Sequence, residues 1–316
     1  MRVSFLAILG LLSACKSNVQ HEPTTSGTTL KTIHVPNLTD TLTTDADLNS
    51  EWLKLDKENF NNILSLLDNQ SALNNQDQFI NSIIKLDIRE TKDLGFGLTY
   101  FECAQYGGYV TTWINLVAFK NVIIQYEISY SKEDFQIIDY LIKRDPKMRN
   151  EISYVVDSTA RYSFSYLDSL TFDEFKTNVA SELGPIKLSS SEQDNEFYSN
   201  YSILTSPFNS YDYGTTCYYS GVEPEGRTAI NYFVSSNNVE TIREIMKGYN
   251  PEGRLYAIEA LLTAVKEKKA TLTEQDKVSI KRILALKIPI STCSGCMVST
   301  STADDLLDEK LKELIR

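Results

Sequence analysis

Apolar positions beyond residue 50 follow two rhythms, and the changes between them organise the chain. Phe60, Ile63, Leu64 and Leu67, then Phe79, Ile83 and Ile84, recur at helical spacing with an Asn-rich break between the two groups. The period then drops to two. Phe96, Leu98 and Tyr100 alternate, Tyr106-Gly107-Gly108-Tyr109 reads as a hairpin turn, and Ile124, Tyr126, Ile128 and Tyr130 share one face of a strand over 122–130. With Lys120-Asn121 dividing the last two strands, residues from about 95 to 130 predict a three-stranded antiparallel meander. Ser131 opens a helix by capping, with Phe135, Ile138, Leu141 and Ile142 as its buried stripe and Pro146 beyond its end. Phe172 to Leu183 predicts a further short helix, and the Tyr- and Ser-rich stretch from Tyr198 to Tyr219 predicts loops with one more strand at most.

The final hundred residues predict helices alone. Val239, Ile242, Ile245 and Met246 form one stripe, Leu255, Ile258, Leu261, Leu262 and Val265 a second, and Ile280, Ile283, Leu284 and Ile288 a third. Pro224-Glu225-Gly226-Arg227 recurs as Pro251-Glu252-Gly253-Arg254, and each copy precedes an apolar helical run with proline in its first turn. The recurrence of Arg227 and Arg254 predicts a structural role, pairing with a carboxylate between stacked helices. Helix pairs of this kind resemble HEAT-type repeats. The fold class is therefore α+β: an antiparallel meander with flanking helices over 51–217, followed by an all-α, helical-repeat-like domain over 218–316.

The amino terminus follows a different logic. Arg2 supplies a positive start, the ten residues from Val3 to Leu12 are broken only by Ser4 and Gly10, and Leu12-Ser13-Ala14-Cys15 follows. That apolar run is too short to span a bilayer core, which needs about 20 residues. It resembles the signal peptide and lipobox of bacterial lipoproteins. The resemblance implies that residues 1–14 are removed and that Cys15 becomes a lipidated first residue carrying a diacylglycerol on its thiol and an acyl chain on its amine. Two or more chains, at about 0.8 kcal/mol per buried CH₂, hold a protein firmly to a membrane. Lys16 and Ser17 follow in place of the Asp that retains enteric-type lipoproteins at the inner membrane, which points to the outer membrane and leaves the leaflet open. From Lys16 to Ser50 there are nine Thr and three Ser among scattered aliphatics, a composition that cannot bury enough apolar area to offset its ordering entropy. Residues 15–50 thus read as a lipidated, disordered, Thr-rich tether with a reach of about 30 to 35 Å.

Charge and motif content narrow the function. Net charge is −11, which argues against nucleic acid as a partner. His21 and His34 are the only histidines and both lie in the tether, so imidazole catalysis and His-rich metal sites have no residues to use. No GxSxG, HExxH, P-loop or glycine-rich dinucleotide turn occurs. No catalytic residue, metal or cofactor is assigned.

Export makes the cysteines disulfide candidates. With Cys15 spent on lipid, Cys293 and Cys296 predict a local bridge and Cys103 and Cys217 a long-range one. Redox use of the Cys293-Ser294-Gly295-Cys296 motif and a four-cysteine zinc site are the alternatives. Eighteen tyrosines are many, and Tyr211, Tyr213, Tyr218 and Tyr219 crowd one short segment; they suit either interdomain packing or binding of a glycan or envelope protein. The functional expectation is a membrane-anchored, exported lipoprotein acting as a non-catalytic binding or envelope-associated module. The alternative is a periplasmic hydrolase with paired carboxylates in a cleft between the domains, since a glycosidase needs only two at about 5 to 9 Å.

Overall fold

The computed structural model describes residues 50–67, 73–83, 86–130, 162–185, 187, 194–219 and 221–316. The leader, Cys15, the tether and the helix expected from Ser131 lie outside those residues. The architecture is α+β. Helices α1 (Ser50–Leu67) and α2 (Gln76–Ser82) form where the apolar spacing predicts them, and Asn75 caps α2 by accepting from the Gln78 amide.

The meander is wider than expected. Its central strands β2 (Leu98–Tyr106), β3 (Thr111–Phe119) and β4 (Val122–Tyr130) are flanked by β1 (Leu86–Gly95) and β5 (Tyr162–Leu167), giving a five-stranded antiparallel sheet in the order 1-2-3-4-5. β1 escapes periodicity because it is a mostly exposed, charge-rich edge whose register shifts between Ile88 and Glu90 and again between Asp93 and Gly95. The Lys120-Asn121 turn is as expected, with both residues at positive φ, the geometry that matches strand twist in a two-residue hairpin. The single-face reading of β4 needs correction. A register shift opposite Val117 and Ala118 turns the strand over, so that Ile124 faces one side of the sheet and Tyr126, Ile128 and Tyr130 the other.

Both faces of the sheet are therefore buried. On one, Phe101, Cys103, Ile114 and Ile128 pack against Phe60, Ile63 and Phe79 of α1 and α2. Asp56 of α1 accepts from the amides of Gly108, Tyr109 and Val110 at 2.7, 2.9 and 3.2 Å, fixing that helix to the β2–β3 turn. On the other, Leu98, Tyr100, Val117 and Phe119 meet Phe172, Phe175 and Val179 of α3 (Ser169–Leu183), which Asp168 caps. That second core continues into α5 (Glu225–Ser235), α6 (Val239–Ile245), α7 (Pro251–Lys266) and α8 (Glu274–Ala285). It draws residues from both sides of position 218.

Two stretches differ from expectation. Residues 195–205 form helix α4 (Asn195–Thr205) instead of loop, because Asp194 caps it through the Phe197 amide and Phe197 and Leu204 bury its inner face. The helix-rich C-terminal part also contains a hairpin, β6 (Ile290–Ser294) with β7 (Met297–Ser301), before the short helices α9 (Ala303–Leu306) and α10 (Glu309–Lys312). No apolar alternation announces that hairpin, since β7 buries almost nothing.

Both copies of the Pro-Glu-Gly-Arg repeat start a helix. Pro224 precedes α5 and Pro251 opens α7, where Asn250 caps through the Gly253 amide at 2.9 Å. The two glycines allow one tyrosine to enter between the helices. A Cβ at Gly226 would meet the Tyr211 ring at 2.3 Å, and one at Gly253 would meet the Leu204 carbonyl oxygen at 1.9 Å and the Tyr211 hydroxyl at 3.0 Å. Gly253→Ala should therefore cost about 1–3 kcal/mol through forced backbone displacement. Urea unfolding checks this, and an unchanged midpoint would show that α4 and α7 are not in contact as described.

Candidate binding site

The segment from Tyr211 to Val222 crosses the amino-terminal ends of α5 and α7 and lies beside β6. Its backbone zips onto that strand: the Tyr213 amide donates to Ser291 O at 2.7 Å, the Cys293 amide to Tyr213 O at 3.0 Å, and the Tyr218 amide to Gly295 O at 2.6 Å. A disulfide between Cys217 and Cys293 closes the arrangement, with Cα atoms 5.5 Å apart.

This pairing corrects both expected bridges. Cys293 lies in β6 with its side chain turned inward toward the 211–222 segment, whereas Cys296 sits past Gly295 in the hairpin turn and is exposed and free. Cys103 lies on β2 among the α1 and α2 contacts, in the smaller of the two cores, and is free. Burial, with help from Glu102 and Asp87, pushes its thiol up to about 12, so it is protonated and unreactive at neutral pH. With two of the four sulfurs bonded to each other, the thiolates for a four-cysteine zinc site are not available.

The four candidate tyrosines divide into two pairs. Tyr211 and Tyr213 are buried in the core, while Tyr218 is half exposed and Tyr219 is 97% exposed. Tyr213 takes part in a polar network that sequence reasoning did not assemble, whereas the buried Tyr211 hydroxyl has no hydrogen-bond partner among the described residues. Tyr213 donates to Glu259 Oε2 at 2.8 Å, and Arg227 reaches the same oxygen through Nη2 at 2.8 Å while its Nε donates to Gly214 O at 3.0 Å. The guanidinium lies over the Tyr256 ring, 4.6 Å from its centroid. Tyr256 donates to the backbone carbonyls of Asp212 or Gly214 and accepts from the Gly214 amide. Burial would lower the Arg227 guanidinium, but the bond to Glu259, the charge of that carboxylate and the neighbouring Tyr256 and Tyr213 together outweigh it and the group is raised above its usual range. Burial first, and Glu259 second, likewise raise Tyr213, which keeps its hydroxyl a donor. The repeat marked Arg227, and its expected pairing with a carboxylate between helices is met by Glu259 of α7. Glu259 itself carries no sequence signal beyond being one polar position on a largely apolar helix.

Three carboxylates beside the segment are engaged. Asp212 accepts from Ser291 Oγ and Tyr218 Oη, Glu252 accepts from Lys92 Nζ at 2.6 Å and from the Ser291 amide at 2.9 Å, and Glu259 is held as above. The outward side is apolar. Tyr218, Tyr219 and Val222 of the disulfide loop are exposed, as are Met297 and Val298 of β7, the loop is bonded to the β6–β7 turn through Tyr218 and Gly295, and neither 213–222 nor 288–303 contains a charged residue. Tyr218 holds a positive φ of 64°, uncommon for a bulky residue, supported by its bond to Asp212.

No family model matches the chain, and no curated protein or solved structure matches it.

Non-reducing peptide mapping should recover Cys217 joined to Cys293. Iodoacetamide should label Cys296 in the native protein and Cys103 only after unfolding. A bridge spanning 76 residues contributes about 4 kcal/mol on the loop-entropy account, so Cys217→Ser should lower stability by an amount of that order. A recovered Cys293–Cys296 peptide would overturn the assignment.

Proposed function

We propose that this chain is an exported, lipid-anchored lipoprotein that acts as a non-catalytic binding module at the cell envelope, held at the outer membrane through Cys15 and the tether. The observation that carries the reading is the uncharged, exposed surface of Tyr218, Tyr219, Val222, Met297 and Val298 on a chain whose net charge is −11. Exposed apolar side chains gathered on one patch mark interaction sites, and tyrosine and methionine are enriched where proteins meet. The aliphatic share of the patch favours a protein partner over a glycan. Bonding of Asp212, Glu252 and Glu259 to neighbouring groups supports binding over carboxylate-driven hydrolysis, which needs a carboxyl free to trade a proton with substrate. An anchor outside the folded part is consistent with the described residues, among which no helix is long and apolar enough to cross a membrane.

Two measurements test the two halves of the proposal. Cys15→Ser should move the protein from the membrane pellet to the soluble fraction after a high-salt wash, and retention in the pellet would refute the lipid anchor. Crosslinking in intact envelopes should give a defined adduct that the double variant Tyr219→Glu, Met297→Lys loses. Because both side chains are exposed, that variant should unfold within about 0.5 kcal/mol of the parent. An adduct that survives it would place the partner elsewhere.

A further inference from the structure

The chain protects one strand edge and leaves another bare. β1 ends the five-stranded sheet with Asp87, Arg89, Glu90, Lys92 and Asp93 along it and with two register shifts, the devices by which natural edge strands resist pairing with other chains. β7 ends the β6–β7 hairpin with none of them. Its sequence, Met297-Val298-Ser299-Thr300-Ser301, holds no charge and no proline, its pairing with β6 runs without a register shift, and Met297 to Thr300 are exposed. Bonds on the far side of β6 show which backbone groups of β7 face outward. Ser291 O accepts from the Tyr213 amide and the Cys293 amide donates to Tyr213 O, so residues 291 and 293 point away from β7. Residues directly opposite in an antiparallel pair either exchange bonds or both face outward. Thr300 and Val298 stand opposite Ser291 and Cys293, so they turn their N–H and C=O groups to the open edge, where they bond no described residue.

We infer that this edge pairs with the β7 edge of a second copy of the chain, antiparallel about a two-fold axis at Ser299, joining the two hairpins into one continuous sheet. This names the partner of the surface proposed above, to which Met297 and Val298 belong, and it rests on that reading. Register follows from the free groups. With Val298 opposite Thr300 of the second copy, and the reverse by symmetry, no outward N–H or C=O of either residue is left unpaired. Moving the axis to Thr300 would set Val298 against Thr302, whose carbonyl already accepts from the Leu306 amide, and moving it to Val298 would set Thr300 against Cys296 in the hairpin turn. Side chains match in the same register, Met297 beside Ser301 and Val298 beside Thr300, the latter a β-branched pair. Charge points to the chain's own copy. Two-fold pairing sets a strand against its own sequence, so any charge on the edge would meet its image, a constraint that a strand of another protein does not impose. The uncharged run over 288–303, in a chain of net charge −11, meets that constraint. An edge of five residues buries less than a standard interface, so the association is weak and reversible.

Sedimentation of the full-length chain in detergent should show a monomer–dimer equilibrium with a dissociation constant on the order of 10 to 100 μM. Thr300→Pro removes an outward N–H that β6 does not use, and Ser299→Lys sets two like charges on the axis. Each should weaken dimerisation about tenfold or more. Crosslinking tests the register. Ser299 meets itself at a non-hydrogen-bonded position, where Cα atoms lie about 4.5 Å apart and a disulfide can form, whereas Val298 is offset from its own copy by more than about 7 Å. In a Cys296→Ser background, copper phenanthroline should therefore link Ser299→Cys into dimers and leave Val298→Cys at least about fivefold less crosslinked. The inference is overturned by a chain that sediments as a monomer at about 1 mM, by equal crosslinking at the two positions, or by a dimer indifferent to both Thr300→Pro and Ser299→Lys. A monomeric chain that still gives the envelope adduct lost in Tyr219→Glu, Met297→Lys refutes the second copy and leaves the surface proposal standing. Sedimentation of the unaltered chain does not depend on whether any variant folds.

Discussion

Two charged residues at the start of α7 hold the sheet to the helices. Glu252 is wholly buried and receives Lys92 of β1, and Arg254, also wholly buried, donates through Nη1 to the Leu94 carbonyl of the same strand at 2.6 Å. Each contact closes 160 residues of chain. A buried ion pair gains little over an apolar pair of the same shape, but losing one member strands a charge at about 3–5 kcal/mol. Arg254 has no carboxylate in ion-pair contact among the described residues. It stays satisfied by the carbonyls of Leu94 and Gly248 and by the Phe96 ring 4.9 Å away. The cost shows in its acidity, which burial lowers to about 10 despite the nearby Glu252 and Asp93 carboxylates.

Placement of the exposed surface follows from this junction. The Glu252 oxygen that receives Lys92 also accepts from the Ser291 amide, which sets β6 against α7. With β6 in place, the 211–222 segment adds along its free edge, Tyr211 enters between the glycine-bearing helix ends, and Cys293 faces Cys217. The disulfide then pins a loop that would otherwise be free, and Tyr218 is turned outward from a left-handed backbone. A patch built in this way would meet the proposed partner with little ordering left to do.

Acidic residues outnumber basic ones by 42 to 31, yet the surface proposed as the interaction site carries no charged residue. Self-repulsion is thus kept away from the surface proposed to make contacts. The two Pro-Glu-Gly-Arg copies illustrate how one local rule serves two ends. Both glycines admit Tyr211, but Arg254 is consumed in the junction while Arg227 pairs with Glu259 of α7.

Local spacing was enough to locate α1, α2, α3, the strands β2 to β4, and the stripes of α6 to α8, because each buries one face in a fixed rhythm that the residues themselves record. Where burial does not alternate, the record is silent. β1 is a charged edge with two register shifts, β7 is exposed along nearly its whole length, and the turn-over in β4 comes from one extra residue that only the pairing with β3 exposes. Cysteine count pointed to disulfides, but partner choice depended on which β6 side chain faces the 211–222 segment, and that is set by Glu252 and Ser291, distant in sequence from Cys217. For the same reason the composition could mark a tyrosine-rich segment without sorting it. Tyr211 and Tyr213 differ from Tyr218 and Tyr219 only in what surrounds them, and those surroundings are assembled from β1, α5, α7 and β6, brought together by contacts that leave no trace in the local pattern.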